Sequence, residues 1–311
     1  MDEVALGTIE DYGLLTPNLT FGVAKIIDRD TQADVIDGIM GLGFPQKFGP
    51  ESLINRAIRE KKLENPIYTI FLDKIGGDEH KPGGEIYFGG FDTTYCTKNI
   101  TYVPLTTTNY WQFKADKIVV AGKVGENEML LMCSIQELYR NLQVVSDTGT
   151  SSLVMPRADF KQVMKAIGLP AKSRGLPYVP CKLKFILEIW INNVQHTLTA
   201  QELMVRYSDG CVLEIDITEW QDDKTWVLGD PFCRSYCTVH DLGKRRIGFA
   251  RAKMPKNWSR NRVSICGKKC QNAGRTQEQW FASRLRPPLD DSADTTPIPV
   301  YDSIEEEYLE E

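Results

Sequence analysis

Short apolar runs, cut off before they can become helices, set the strongest limit on what this chain can fold into. From residue 1 to about residue 254, β-branched and aromatic residues come in brief stretches. Ile86-Tyr87-Phe88, Ile118-Val119-Val120 and Ile247-Gly248-Phe249 are examples, each bounded by Gly, Asp or Lys. Glycine pairs at Gly76-Gly77, Gly83-Gly84 and Gly89-Gly90 mark turns. Helical spacing is rare. After Pro50, residues 51–63 put Leu53, Ile54, Ala57 and Ile58 on one face. After Pro156, Phe160, Val163, Met164 and Ile167 recur at helical intervals and Gly168 closes the segment. Ser134-Ile135-Gln136-Glu137 has capping-box spacing and predicts a short helix over residues 134–142. The pattern predicts a mostly β chain with a few small helices.

Composition narrows the function classes. The 311 residues are 42% hydrophobic and 25% charged, enough to build a substantial core, and the length suits two domains. A net charge of −5 argues against nucleic-acid binding through bulk positive charge. The three histidines, His80, His196 and His240, are far apart and in no metal-ligand spacing, so no metal site is expected. No apolar run reaches the ~18 residues of a membrane helix. Eight cysteines and three N-x-S/T sequons, at Asn18, Asn99 and Asn257, point to an oxidising secretory compartment. Met1-Asp2-Glu3-Val4 nevertheless has no secretory leader. That mismatch raises the expectation that the natural N-terminus lies upstream.

The last part of the chain differs in kind. Residues 256–286 carry eight Lys/Arg against one Glu, and residues 287–311 carry nine Asp/Glu with no Lys or Arg. Pro287, Pro288, Pro297 and Pro299 break up the acidic half. Such a segment buries too little apolar surface to offset its ordering entropy, so a disordered tail is expected.

The segment with the most chemistry is Val144-Val145-Ser146-Asp147-Thr148-Gly149-Thr150-Ser151-Ser152. An apolar strand runs into one carboxylate, followed at once by a hydroxyl residue and a glycine. Gly149 allows a tight turn that brings backbone N–H near the acid. Hydroxyls and amides around it can then fix its orientation.

Around this segment the chain resembles the pepsin-like aspartic endopeptidases, from about residue 2 to about residue 251. Asp147-Thr148-Gly149-Thr150-Ser151 matches the active-site motif of the C-terminal lobe in that family. Asp37-Gly38-Ile39-Met40-Gly41-Leu42-Gly43-Phe44 looks like the threading strand of the N-terminal lobe, and Trp226-Val227-Leu228-Gly229-Asp230 like its C-lobe counterpart. Residues 83–90, Tyr110-Trp111-Gln112 and the segment from Phe232 through Ala250 resemble the lobe junction, the start of the second lobe and the closing strands. The order and spacing of six such segments make the resemblance specific.

The resemblance implies a bilobal acid-protease fold with an incomplete N-terminal lobe. Residues 1–102 would be its remnant, 103–254 a complete C-terminal lobe carrying Asp147, and 255–311 the tail. It also implies a Cys181–Cys211 disulfide. Cys96, Cys133, Cys233 and Cys237 keep open partners. Cys96–Cys133 is one candidate pairing, and Cys266 and Cys270 could pair locally.

In the family, two aspartates from two lobes face each other, share one proton and activate a water, with no metal or organic cofactor. By resemblance Asp147 is the catalytic acid, Gly149 and Thr150 support its loop, and Thr148 grips the opposite lobe. Tyr110, Val145 and Val227 would line the primed side of the substrate cleft and Ile39 the unprimed side. Only one Asp-Thr-Gly occurs, however, and Asp-Ser-Gly does not occur. Asp37 and Asp230 match structural positions and Asp34 matches no motif. The expectation is an aspartic endopeptidase by family, acting on polypeptides as a secreted or lysosomal monomer, with no nucleic-acid or membrane partner. The given chain would hold half of its acid pair and be inactive alone. The alternative is a peptide-binding or regulatory relative that does not cut.

Overall fold

The computed structural model describes residues 2–6, 14–27, 38–44, 50–73, 83–124, 132–171, 176–207, 210–218 and 224–253. The tail from residue 255, with Cys266 and Cys270, lies outside them, as do Asp34, Asp37, His80 and Gly76-Gly77.

Strands β1 (Asp2–Leu6) and β2 (Leu14–Leu19) form an antiparallel ribbon. Helix α1 (Leu53–Arg59) follows, then β3 (Ile67–Leu72), β4 (Gly84–Phe88), β5 (Cys96–Pro104), β6 (Gln112–Val124), β7 (Met132–Ser146) and β8 (Leu153–Met155). After helix α2 (Arg157–Ala166) come β9 (Tyr178–Val179), β10 (Phe185–Ile191), β11 (Val194–Thr199), β12 (Met204–Arg206), β13 (Cys211–Leu213), β14 (Ile215–Ile217) and β15 (Trp226–Leu228). Helix α3 (Asp230–Ser235) leads into β16 (Tyr236–Asp241) and β17 (Arg246–Ala252). The chain is mostly β, as its short apolar runs predict.

Two sheets carry the core. A seven-stranded sheet runs β11-β10-β6-β7-β15-β8-β14, and a five-stranded antiparallel sheet runs β4-β3-β16-β17-β5. Alternate residues of β10, Phe185, Leu187, Ile189 and Ile191, face inward. Its hairpin with β11 turns on Asn192 and Asn193, both in the left-handed region at φ 49° and 61°. Trp226 of β15 is fully buried, and its Nε1–H donates to Asp159 Oδ2 of α2 at 2.7 Å. The five-stranded sheet joins the first third of the chain to its last strands, and the junction expected after residue 102 falls inside β5.

Both helices expected after prolines form. In α1 the Ser52 hydroxyl accepts from Asn55 N–H, and Leu53, Ile54 and Ala57 are buried. In α2 Phe160, Val163 and Met164 are buried, and Gly168 at φ 76° follows the helix end.

The helix expected over residues 134–142 does not form. Those residues belong to β7, which pairs with β6 from Met132 to Val145 in an antiparallel ladder. The long hairpin supplies a partner strand along the whole segment and buries Leu142 and Val144, so pairing overrides a local capping signal.

Cysteine pairing also departs from one expectation. Cys96 bonds Cys237, not Cys133, with Cα atoms 6.0 Å apart. Cys96 opens β5 and Cys237 lies on β16, the two neighbours of β17. Sheet order brings these cysteines together across 141 residues. Cys181 bonds Cys211 over 30 residues.

One buried polar group stands out. His240 of β16 stacks on Tyr68 of β3 at 4.3 Å, and Trp111 meets it edge-on at 4.6 Å. Its Nδ1 has no hydrogen-bond partner among the described residues. Burial holds the imidazole down to about 3, against the opposing backbone groups of Thr238 and Tyr68.

Two outcomes follow from these contacts. On the chain-entropy account, removing Cys96–Cys237 by paired Cys→Ala changes costs about 5 kcal/mol and removing Cys181–Cys211 about 3.5. Denaturant unfolding of the two variants checks the order, and a larger loss from the shorter loop would contradict it. The His240 contribution is complete above its unfolded value of 6.5 and drains away as pH falls toward 3. The slope is about 1.4 kcal/mol per pH unit. Thermal melts between neutral and acid pH are expected to show a steeper fall for the parent than for His240→Phe, because the variant lacks this loss, and equal falls would contradict it.

Candidate active site

Strand β7 delivers the acid. Its last residue, Ser146, donates its backbone N–H to Trp111 O at 3.1 Å, and the next residue, Asp147, donates its own to Leu228 O at 3.1 Å. The chain then turns. Gly149 N–H reaches Asp147 Oδ1 at 2.9 Å, and the Thr150 hydroxyl reaches Asp147 Oδ2 at 2.6 Å. Each carboxylate oxygen thus has a fixed donor from two or three residues downstream. The Asp147 side chain remains exposed. Thr148, at the turn tip, is exposed as well.

Strand β15 runs through this turn. It lies parallel to β7, with Val227 opposite Val145, and antiparallel to β8, with Leu228 opposite Leu153. Beyond it Asp230 N–H donates to Thr150 O at 2.8 Å. The crossing leaves no room at Gly229. A Cβ there would sit 2.1 Å from Thr150 O and 2.4 Å from Ser152 O, both backbone atoms. Glycine is therefore required for the close approach, although its φ is an ordinary −88°.

Behind the turn lies a charged group. Arg234 of α3 bonds buried Glu214 and sits 3.8 Å from Asp230. Burial pushes Asp230 up to about 6. The Arg234 guanidinium opposes that rise, while the negative charges of Glu214 and Asp147 add to it. Cys233 is an unbonded buried thiol whose Sγ lies 3.7 Å from Leu228 O, and burial pushes it up to about 12. It is inert in this setting. Sequence reasoning assigned no role to Glu214, Arg234 or Cys233. Arg234 sits one turn after Asp230, a spacing that could have signalled the ion pair, but Glu214 is brought to it by folding alone.

The remaining sequence-expected residues are dispersed in character. Val145 and Val227 are cross-strand neighbours, each half-buried. Tyr110 is 56% exposed and directly precedes Trp111, whose carbonyl anchors Ser146. Ile39 is 91% exposed in a described stretch, residues 38–44, that forms no strand. That stretch touches the body through Phe44, 4.6 Å from Trp111, and Leu42 O, which accepts from Tyr68. Among the described residues no group of three or more His, Cys, Asp or Glu is placed to hold a metal ion.

The model of the eukaryotic aspartyl protease family matches residues 2–252. The chain belongs to that family. Among curated relatives of this chain, Aspartic protease 2 of Necator americanus is 32% identical over 256 residues, covering 81% of this chain and 57% of the relative. Aspartic protease 6 of Caenorhabditis elegans is 31% identical, covering 80% and 62%. Gastricsin of Rattus norvegicus is 29% identical, covering 78% and 61%. The chain thus spans about 60% of the length of the relatives it matches.

The threaded turn generates a sharp expectation. Gly229→Ala costs more than ~3 kcal/mol, because the backbone of residues 150–152 must move. Gly41→Ala, with nothing within 4 Å of its Cβ, changes stability by less than ~0.5 kcal/mol. Equilibrium unfolding of both variants decides it, and equal effects would mean that β15 does not pass as described.

Proposed function

We propose that this chain supplies the Asp147 half of an aspartic endopeptidase site. Asp147 works opposite a second carboxylate that the 311 residues do not carry in an equivalent motif. The observation behind this reading is the exposed Asp147 carboxyl, gripped at one oxygen by Gly149 N–H and at the other by Thr150 Oγ1. An acid held so firmly yet open to solvent suits work on a bound water. Two such acids face to face cannot both ionise, so they share a proton. One then takes a proton from the water while the other protonates the peptide carbonyl.

The substrate is a polypeptide, and the chemistry calls for no metal or organic cofactor. Tyr110, Val145 and Val227 line the primed side, Ile39 belongs to the unprimed side, and Thr148 engages the opposite loop. The protein acts as a monomer in a secretory or lysosomal setting, which two disulfides support. Residues 1–102 and 103–254 contribute to separate lobes. A second reading, a relative that binds peptides without cutting, draws support from the single Asp-Thr-Gly in the sequence.

The test uses the 311-residue chain with denatured globin at roughly pH 3 to 5. Cleavage no faster than that of Asp147→Asn is expected. Strong cleavage lost in Asp147→Asn would show a second acid already in place within the chain and would overturn the half-site reading. Joining an upstream coding segment that bears a second Asp-Thr-Gly restores Asp147-dependent cleavage on the first reading and leaves the protein inert on the second.

A further inference from the structure

The sequon Asn99-Ile100-Thr101 lies in β5, an outer strand of the five-stranded sheet, which pairs with β17 alone among the described strands. Its ladder is irregular at that point. Ile100 faces Ala250 and Cys96 faces Ala252, so Thr97, Lys98 and Asn99 together lie opposite Arg251. Such a bulge turns side chains out of the regular alternation. Lys98 and Asn99 are accordingly both exposed, although successive residues of a regular strand would point to opposite faces. Three residues away, Cys96 ties the start of β5 to β16 by a disulfide. The bulged segment is therefore held open and in place. The same disulfide belongs to the oxidising compartment in which N-x-T sequences are glycosylated.

We propose that Asn99 is an N-glycosylation site whose sugar stands on the open edge of the five-stranded sheet. The donor is a lipid-linked oligosaccharyl diphosphate. The Asn99 amide nitrogen bonds to the anomeric carbon, and the bond from that carbon to the diphosphate oxygen breaks. The lipid diphosphate leaves with the electron pair and takes up the proton that the amide loses, and nothing is oxidised or reduced. A hydrated, branched sugar at this position bars another strand from adding beside β5, the exposure that edge strands must avoid. Of the other two sequons, the Asn18 side chain and Asn257 lie outside the described residues. The inference does not depend on whether the chain cuts peptides.

The test expresses the full 311-residue chain behind a cleavable secretory leader in animal cells. The disulfide-bonded pool, secreted and retained together, is digested and deglycosylated by an amidase in heavy-oxygen water, which tags each formerly glycosylated Asn. The Asn99 peptide is expected to carry the tag in most molecules, and both Asn99→Gln and Thr101→Ala lose it. Occupancy is set during translocation, so a variant that folds poorly still reports. Recovery of the linked Cys181–Cys211 peptides together with an untagged Asn99 peptide would overturn the proposal, whether or not the other sequons are tagged.

Discussion

Two backbone hydrogen bonds hold the acid-bearing turn to the strand that passes through it: Asp147 N–H to Leu228 O and Asp230 N–H to Thr150 O. Everything near the acid depends on that crossing. It needs a residue without a Cβ at position 229, it sets β15 between β7 and β8, and it starts α3 directly behind the loop. Helix α3 in turn brings Arg234 to Glu214 and Asp230. A buried pair of this kind is weak evidence for added stability, because desolvating both charges offsets much of their attraction. Its clearer effect is positional, since Leu153, which opens β8, donates to the backbone carbonyl of the same Glu214.

The features legible in the sequence are those written in local chemistry. The Asp147 turn announces itself through a hydroxyl and a glycine at fixed offsets, and α1 and α2 through proline starts and an apolar face. Three things were not legible, each for a physical reason. The 134–142 segment carries a helix-start signal, but β6 offers a partner strand that outweighs it. The Cys96–Cys237 bond depends on sheet order across the chain, which no spacing encodes. Glu214 reads as an ordinary surface acid until folding buries it against Arg234.

The first hundred residues are bound to the rest more tightly than a two-lobe division by sequence suggests. Strands β3 and β4 pair outward from β16, and β5 pairs with β17, so the five-stranded sheet cannot form from either part alone. Every residue of β16 is buried, which places the joint in the core. The residues 38–44 are the opposite case. Ile39 and Met40 are 91% and 45% exposed, and no strand forms there. At the corresponding place in the second half, Trp226 and Leu228 are fully buried because β7 and β8 flank them. The apolar sequence is the same in kind, and the difference, among the described residues, is the presence of flanking strands.

Acid acts on this molecule in two opposed ways. Asp230 is raised to about 6, so its neutral form is favoured in the folded state and rising pH through that value weakens the fold. His240 is lowered to about 3, so falling pH weakens the fold through the uptake of a proton in the unfolded chain. Between roughly pH 4 and 6 the two slopes have opposite sign and largely cancel, since each involves one proton. Below that window, of these two groups, His240 alone continues to lose, and it sits in the aromatic stack that ties β3 to β16. Since Trp111 both edges that stack and accepts the Ser146 amide, loosening the sheet joint in strong acid would reach the Asp147 turn through a single residue.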